Sequence, residues 1–267
     1  MSSALSSSAP IPTRSRWRDV VMPKEHGSWS LALEPVALGL LLAPSVAGFC
    51  IGTAALAGFL ARRPLKLALK EHAGERRETA LVALSVLTLL AIAALATAVG
   101  ISERGWLVWL LPSALAGAVF LFFDLKNGGR EEVAEIAGAT AFAGITGVIV
   151  ASAGWSPAAA LGAMFVMCSR AVPTVIFVRT YVRSAKTGTH RPLAALIATG
   201  VVVVGAIMLA TRGMIPAAAI AALTLLFFRA AAYLLYPRPR LRPRNLGFQE
   251  LALGAAYVAA MAVAWRF

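Results

Sequence analysis

Charge is scarce in this chain. Of its 267 residues, 14% are Asp, Glu, Lys or Arg, where a soluble domain carries about a quarter. Hydrophobic residues make up 59%, so too little polar surface is available to keep a globule in water. Cysteine is scarcer still. Cys50 and Cys168 both lie in apolar runs, without CxxC spacing or a neighbouring histidine pattern. That excludes a disulfide framework and a thiolate zinc site and leaves two small hydrophobic side chains. The first twenty residues hold Ser, Pro and Arg but no apolar core. They are therefore no secretory signal, and residues 1–21 are expected to be a disordered cytoplasmic arm. Basic residues are the exception to this poverty, and the net charge is +13. Since no basic face stands apart from the loops, nucleic acid is not the expected partner; basic loops beside anionic lipid headgroups are.

The placement of those cations is informative. Twenty of the 25 Lys and Arg residues fall into five groups: Arg14/Arg16/Arg18/Lys24, Arg62/Arg63/Lys66/Lys70/Arg76/Arg77, Lys126/Arg130, Arg179/Arg183/Lys186/Arg191 and Arg238/Arg240/Arg242/Arg244. Long apolar segments separate them, which is the positive-inside pattern of a polytopic membrane protein. Segments of about 20 apolar residues are read at 28–44, 46–62, 79–100, 105–123, 132–152, 156–178, 191–211, 214–235 and 247–265. The fold expected is all-α: one transmembrane bundle of about nine spans over residues 22–267. The first two spans share one apolar run, broken at Ala43-Pro44-Ser45 because proline disfavours helix for its predecessor. With nine spans all five basic groups lie on one side, so the N-terminus is expected in the cytoplasm and the C-terminus outside, in a bacterial inner membrane.

Several polar groups then stand at or inside spans. Lys24, Glu25 and His26 precede the first, and Glu34 lies within it. A cation and an imidazole there can hold an anion or move a proton; an interfacial anchor of Trp29 with Ser28 as helix cap accounts for the same residues. Asp124, Lys126, Arg130, Glu131 and Glu135 flank the Asn127-Gly128-Gly129 turn after the fourth span. The two cations can hold an anion and the three acids a metal, or the group can neutralise itself at a helix start. Arg170 is deep in the sixth span, followed by Pro173, Arg179 and Arg183; Arg229 and Glu250 lie in the last two spans. Intramembrane charges are costly unless paired or hydrated, so a shared polar pocket in the cytoplasmic half is expected. The 62–78 loop, with Glu71, Glu75, Glu78 and His72, reads as a salt-bridged surface helix along the membrane.

The run Pro23-Lys24-Glu25-His26-Gly27-Ser28-Trp29 resembles the PKEHGAW opening of the YwiC-like family of bacterial membrane proteins. The Asp124…Arg130…Glu135…Gly138 and Arg170…Arg179…Tyr181…Arg183 stretches are similar to that family too. More distantly, the helix plan resembles the UbiA superfamily of intramembrane prenyltransferases. That likeness implies nine helices, a cytoplasmic pocket and a prenyl diphosphate as ligand, with Lys126 and Arg130 where the superfamily places diphosphate-binding cations. The two aspartate-rich motifs that would hold Mg²⁺ are missing: 62–78 has no Asn-Asp pair and 179–191 has no acid. Arginine and lysine bind phosphate directly, so an anionic isoprenoid or lipid-like ligand is expected on Lys24, His26, Lys126, Arg130, Arg170, Arg179 and Arg183. Glu25, Asp124, Glu131 and Glu135 would orient those cations. No catalytic residue and no cofactor is assigned. Two alternatives stay open: a small-anion transporter, or a non-catalytic membrane assembly protein whose polar residues only pair with one another.

Overall fold

A computed structural model describes residues 17–22, 28–70, 74–126, 128–187, 192–236 and 243–266. All regular structure among them is helical: α1 (Trp17–Val21), α2 (Ser28–Leu42), α3 (Val46–Lys70), α4 (Glu75–Ile101), α5 (Leu110–Leu125, entered by a 3₁₀ stretch Arg104–Trp109), α6 (Glu132–Ser152), α7 (Pro157–Thr187), α8 (Leu193–Thr211), α9 (Ala218–Leu235) and α10 (Pro243–Ala264). A backbone in hydrocarbon must satisfy its own N–H and C=O groups, and a helix does so within one segment.

Eight of these are long and apolar enough to cross a bilayer. The ninth expected span, α2, falls short. Its 15 residues rise about 22 Å, less than the ~30 Å hydrocarbon core. Among the described residues there are therefore eight full-length spans and one short helix, because the break at Pro44 cuts the first apolar run early. Expected boundaries fail in the other direction at α3 and α7. Both helices run eight or nine residues past the expected ends at 62 and 178, and each carries a proline within it, Pro64 and Pro173 respectively. Charge ends a hydrophobic segment without ending a helix, whose hydrogen bonds continue into the interface. The expected surface helix over 62–78 is accordingly absent among the described residues. Arg62 to Lys70 finish α3, and Glu75 and Glu78 open α4; Glu71 and His72 lie outside the described residues.

α6 is the bundle's inner helix, packed by α2, α3, α5 and α7. Its small residues allow this, since close backbone approach is how helices associate in lipid. A Cβ on Gly144 would collide with Ser113 of α5, and one on Gly147 would sit 2.9 Å from the Ala160 carbonyl of α7. On the α2 side, Ile149 packs on Gly39, and the Thr146 hydroxyl donates to the Pro35 carbonyl at 2.9 Å.

The two ends of the bundle differ. At one, Arg63 donates to the Met22 carbonyl, Lys66 meets Asp124, and Arg179 meets Glu135. These contacts bring together the start of the described chain, the ends of α3, α5 and α7 and the start of α6: this is the basic end. At the other, Ala43, Val150, Ala160 and Ala163 are buried with Trp109, Trp155 and Trp265 around them. Tryptophan is favoured where hydrocarbon meets headgroups. Met22 and Trp265 thus lie at opposite ends.

Candidate functional site

Four ionisable side chains from four helices meet inside the bundle. Arg170 of α7 is 2% exposed. Its Nη2 donates to the Glu250 carbonyl at 2.9 Å and lies 3.4 Å from Glu250 Oε2. Its Nη1 donates to the Thr174 hydroxyl, which donates in turn to the Arg170 carbonyl at 2.7 Å. Its Nε faces Glu34 Oε2 of α2 at 4.0 Å. Glu250 of α10 is shared, because Arg229 Nη2 of α9 donates to its Oε1. The Arg229 guanidinium also stacks over Phe177 and Tyr233, 4.9 and 5.3 Å from the ring centres. Two arginines and two glutamates balance, which lowers the cost of placing charge among helices. Gly254 makes room for Glu34, since a Cβ there would collide with its carboxylate.

The quartet is asymmetric along the bundle. Toward the tryptophan end it is capped by Leu38, Val166, Met167, Val258 and Met261, all buried in one apolar cluster. Tyr257 closes that layer by donating to the Val166 carbonyl at 3.0 Å.

A second constellation lies at the basic end. Asp124, 8% exposed, takes Lys66 Nζ at 3.1 Å and Arg62 Nε at 3.6 Å, both from α3. The turn folds back on it so closely that a Cβ on Gly129 would collide with its carboxylate. Arg179 of α7 reaches α6: Nη1 donates to Glu135 Oε2 at 2.8 Å and to the Arg130 carbonyl at 2.7 Å, while Nε lies 3.7 Å from Glu132 Oε2. Arg62 stacks over Phe120 and Phe59, and Lys126 over Phe122 at 4.1 Å.

The expected site residues therefore divide. Asp124, Glu135 and Arg179, with Arg130 through its carbonyl, share the basic-end constellation. Lys126, Arg130, Glu131 and Arg183 have exposed side chains around it. Arg170 belongs to the quartet, nine residues and about 13 Å of helix away from Arg179. Lys24, Glu25 and His26 lie outside the described residues. Asp124, Glu131 and Glu135 do not gather: Asp124 turns to α3 and Glu135 to α7. Among the described residues no three His, Cys, Asp or Glu side chains converge on a point that would suit a metal. The quartet's other members, Glu34, Arg229 and Glu250, stand in the sequence as intramembrane charges outside the expected set of anion-binding residues. Their signal was present, because an ionisable residue within an apolar span is a site candidate by default.

The opening run at Pro23–Trp29 and the Asp124–Glu135 segment fall within one sequence family. Residues 22–150 match the YwiC-like protein family. The chain is similar to that family over this stretch, which holds α2 to α6, Glu34 and the whole Asp124–Glu135 segment. Arg170, Arg179, Arg229 and Glu250 come from beyond it, so both constellations join the YwiC-like stretch to the second half of the chain. No curated protein and no solved structure matches the chain.

Proposed function

We propose that this YwiC-like membrane protein binds an anionic isoprenoid or lipid-like ligand at its basic end, which faces the cytoplasm of a bacterial inner membrane. One observation carries the reading. The described ion pairs lie in the basic half of the bundle, and an apolar layer closes the path from Arg170 toward the tryptophan end. Polar groups confined to one end suit a ligand that lies in the membrane and presents its headgroup to one face. A small-anion transporter would need a polar path to both.

In this reading Lys126, Arg130, Arg179 and Arg183 meet the phosphates, with Lys24 and His26 of the preceding segment; Glu135 holds Arg179 in place, Asp124 holds Lys66 and Arg62 beside them, and Glu25 and Glu131 complete the acidic side of the group. The hydrocarbon tail lies against the apolar helices. The UbiA-like extension is prenyl transfer. The allylic C–O bond breaks, an acceptor's nucleophilic atom bonds to the allylic carbon and loses its proton, and diphosphate departs onto the cations, which stabilise its charge. The arginines and lysines take the place that Mg²⁺ holds between aspartate-rich motifs, so binding is independent of Mg²⁺.

Purified protein should gain thermal stability with a prenyl diphosphate, since a ligand that binds only the folded state shifts the unfolding equilibrium. Arg130→Ala and Arg179→Ala should each reduce the gain while remaining folded. Stabilisation by the non-hydrolysable thio analogue, with no product from the natural diphosphate and an acceptor, assigns binding without transfer. Stabilisation by small inorganic anions alone, and by no prenyl diphosphate, overturns the proposal in favour of transport.

A further inference from the structure

A small cleft opens beside the quartet where α7, α8 and α9 meet. Arg170 and Arg229 line it together with the hydroxyls of Ser169, Thr174 and Thr199. Its volume is about 10 Å³, the room that one water or one monatomic ion occupies. A diphosphate does not fit, so this is not the site proposed above.

Donors exceed acceptors here. The Thr174 and Thr199 hydroxyl hydrogens go to the carbonyls of Arg170 and Ala195. Ser169 Oγ does not follow them: its side chain is buried at 3% exposure and its oxygen has no hydrogen-bond partner. Arg229 makes one described hydrogen bond, to Glu250, out of five N–H donors on a guanidinium. Buried donors without acceptors are costly, and the missing partner is a group that accepts from several sides.

We propose that this cleft binds one small monovalent anion of the halide class, taken up together with a proton on Glu34. The proton follows from charge balance. The quartet is neutral, and an added anion would leave one net negative charge in a low-dielectric interior. Neutralising one carboxylate removes that cost. Glu250 is held by both arginines, whereas Glu34 has the single 4.0 Å approach to Arg170 Nε. The ionisable groups facing Glu34 are Arg170 of α7 and Glu250 and Tyr257 of α10; α3 and α6 meet α2 with Gly52, Thr146 and Ile149, which do not ionise. Protonation of Glu34 leaves Arg170 and Arg229 with one carboxylate between them, so anion affinity rises as pH falls.

The test compares bromide with gluconate at constant ionic strength, at about pH 5.5 and about pH 8, reading the Tm of purified full-length protein. Bromide should raise Tm by roughly 2–4 °C at the lower pH and by less at the higher. Ser169→Ala should weaken the response at both. Glu34→Gln should keep the response and lose its pH dependence. Anomalous diffraction from bromide-soaked crystals should place a peak between Ser169 and Arg229. Equal Tm in bromide and gluconate at both pH values overturns the proposal, as does a water with no bromide signal in the cleft. Wild-type pH dependence in Glu34→Gln refutes the proton's assignment. If Glu34→Gln does not fold, the wild-type and Ser169→Ala series decide. Failure here leaves the prenyl diphosphate test untouched, because the two ligands differ in site and size.

Discussion

Glu250→Gln isolates the electrostatics of the bundle with almost no change in shape. The substitution keeps the side-chain volume and removes one negative charge from a neutral group of four. Arg170 and Arg229, whose side chains are 2% and 15% exposed, would then share Glu34, which reaches only Arg170 and at 4.0 Å. Removing one partner of a buried ion pair costs about 3–5 kcal/mol. Arg229 keeps some exposure and its two aromatic rings, so the lower figure of about 3 kcal/mol is the expectation. At roughly 2–4 °C per kcal/mol, Tm should fall by about 6–12 °C in detergent or nanodiscs. The decisive measurement is the double variant Arg229→Met/Glu250→Gln. It restores neutrality by leaving the Glu34–Arg170 pair, so its loss should be smaller than the sum of the two single losses by about 1–3 kcal/mol. An additive double variant, or a Glu250→Gln protein that melts within about 1 °C of wild type, refutes the argument that charge balance holds these four helices together.

Glycine packing separates two kinds of site. Gly162→Ala should cost about 1–3 kcal/mol, because its Cβ would collide with the Met214 backbone carbonyl, whereas Gly58→Ala meets nothing within 4 Å and should stabilise α3 by about 0.5–1 kcal/mol; equal melting temperatures would refute the close approach of α7 to the 213–217 turn. Asp124→Asn should cost about 1 kcal/mol and loosen α5 from α3, a modest figure because Arg62 and Lys66 remain partly exposed; faster hydrogen exchange at the ends of α3 and α5 is the readout, and unchanged exchange would contradict the contact. Topology reporters fused at Thr187 and after Phe267 should give opposite answers, cytoplasmic for the first; the same answer at both would overturn the proposed orientation.

Hydropathy and cation placement made the membrane bundle legible, since a span must be apolar for about 20 residues and basic loops stay on one face. The apolar segments at 105–123, 191–211 and 214–235 fall close to α5, α8 and α9 for that reason. Helix ends were legible where the apolar run and the helix stop together, as at both ends of α6, and not where charge ends the apolar run first. In α7 the residues Arg179, Tyr181 and Arg183 end the apolar run, yet backbone hydrogen bonding carries the helix on to Thr187. The short reach of α2 was hidden too, because hydropathy marks which residues suit lipid and not where a proline-bounded helix starts and stops.

The candidate site divides along the same line. From the sequence alone, Glu34, Arg170, Arg229 and Glu250 are intramembrane charges that need partners, and Asp124 to Glu135 is a polar segment at a span's end. Which charge meets which was decided by tertiary structure. Arg170 and Arg179 lie on one helix, yet one turns into the bundle toward Glu34 and Glu250 and the other crosses to Glu132 and Glu135. Helical periodicity puts a nine-residue separation at 2.5 turns, on opposite faces. What each face meets depends on helix order, and that follows from where small residues such as Gly144, Gly147 and Gly254 let neighbours come close. Composition determines that these charges must be paired; only the packing of α2, α7, α9 and α10 determines the pairs, because the partners are separated in sequence by up to 136 residues and no local rule relates them.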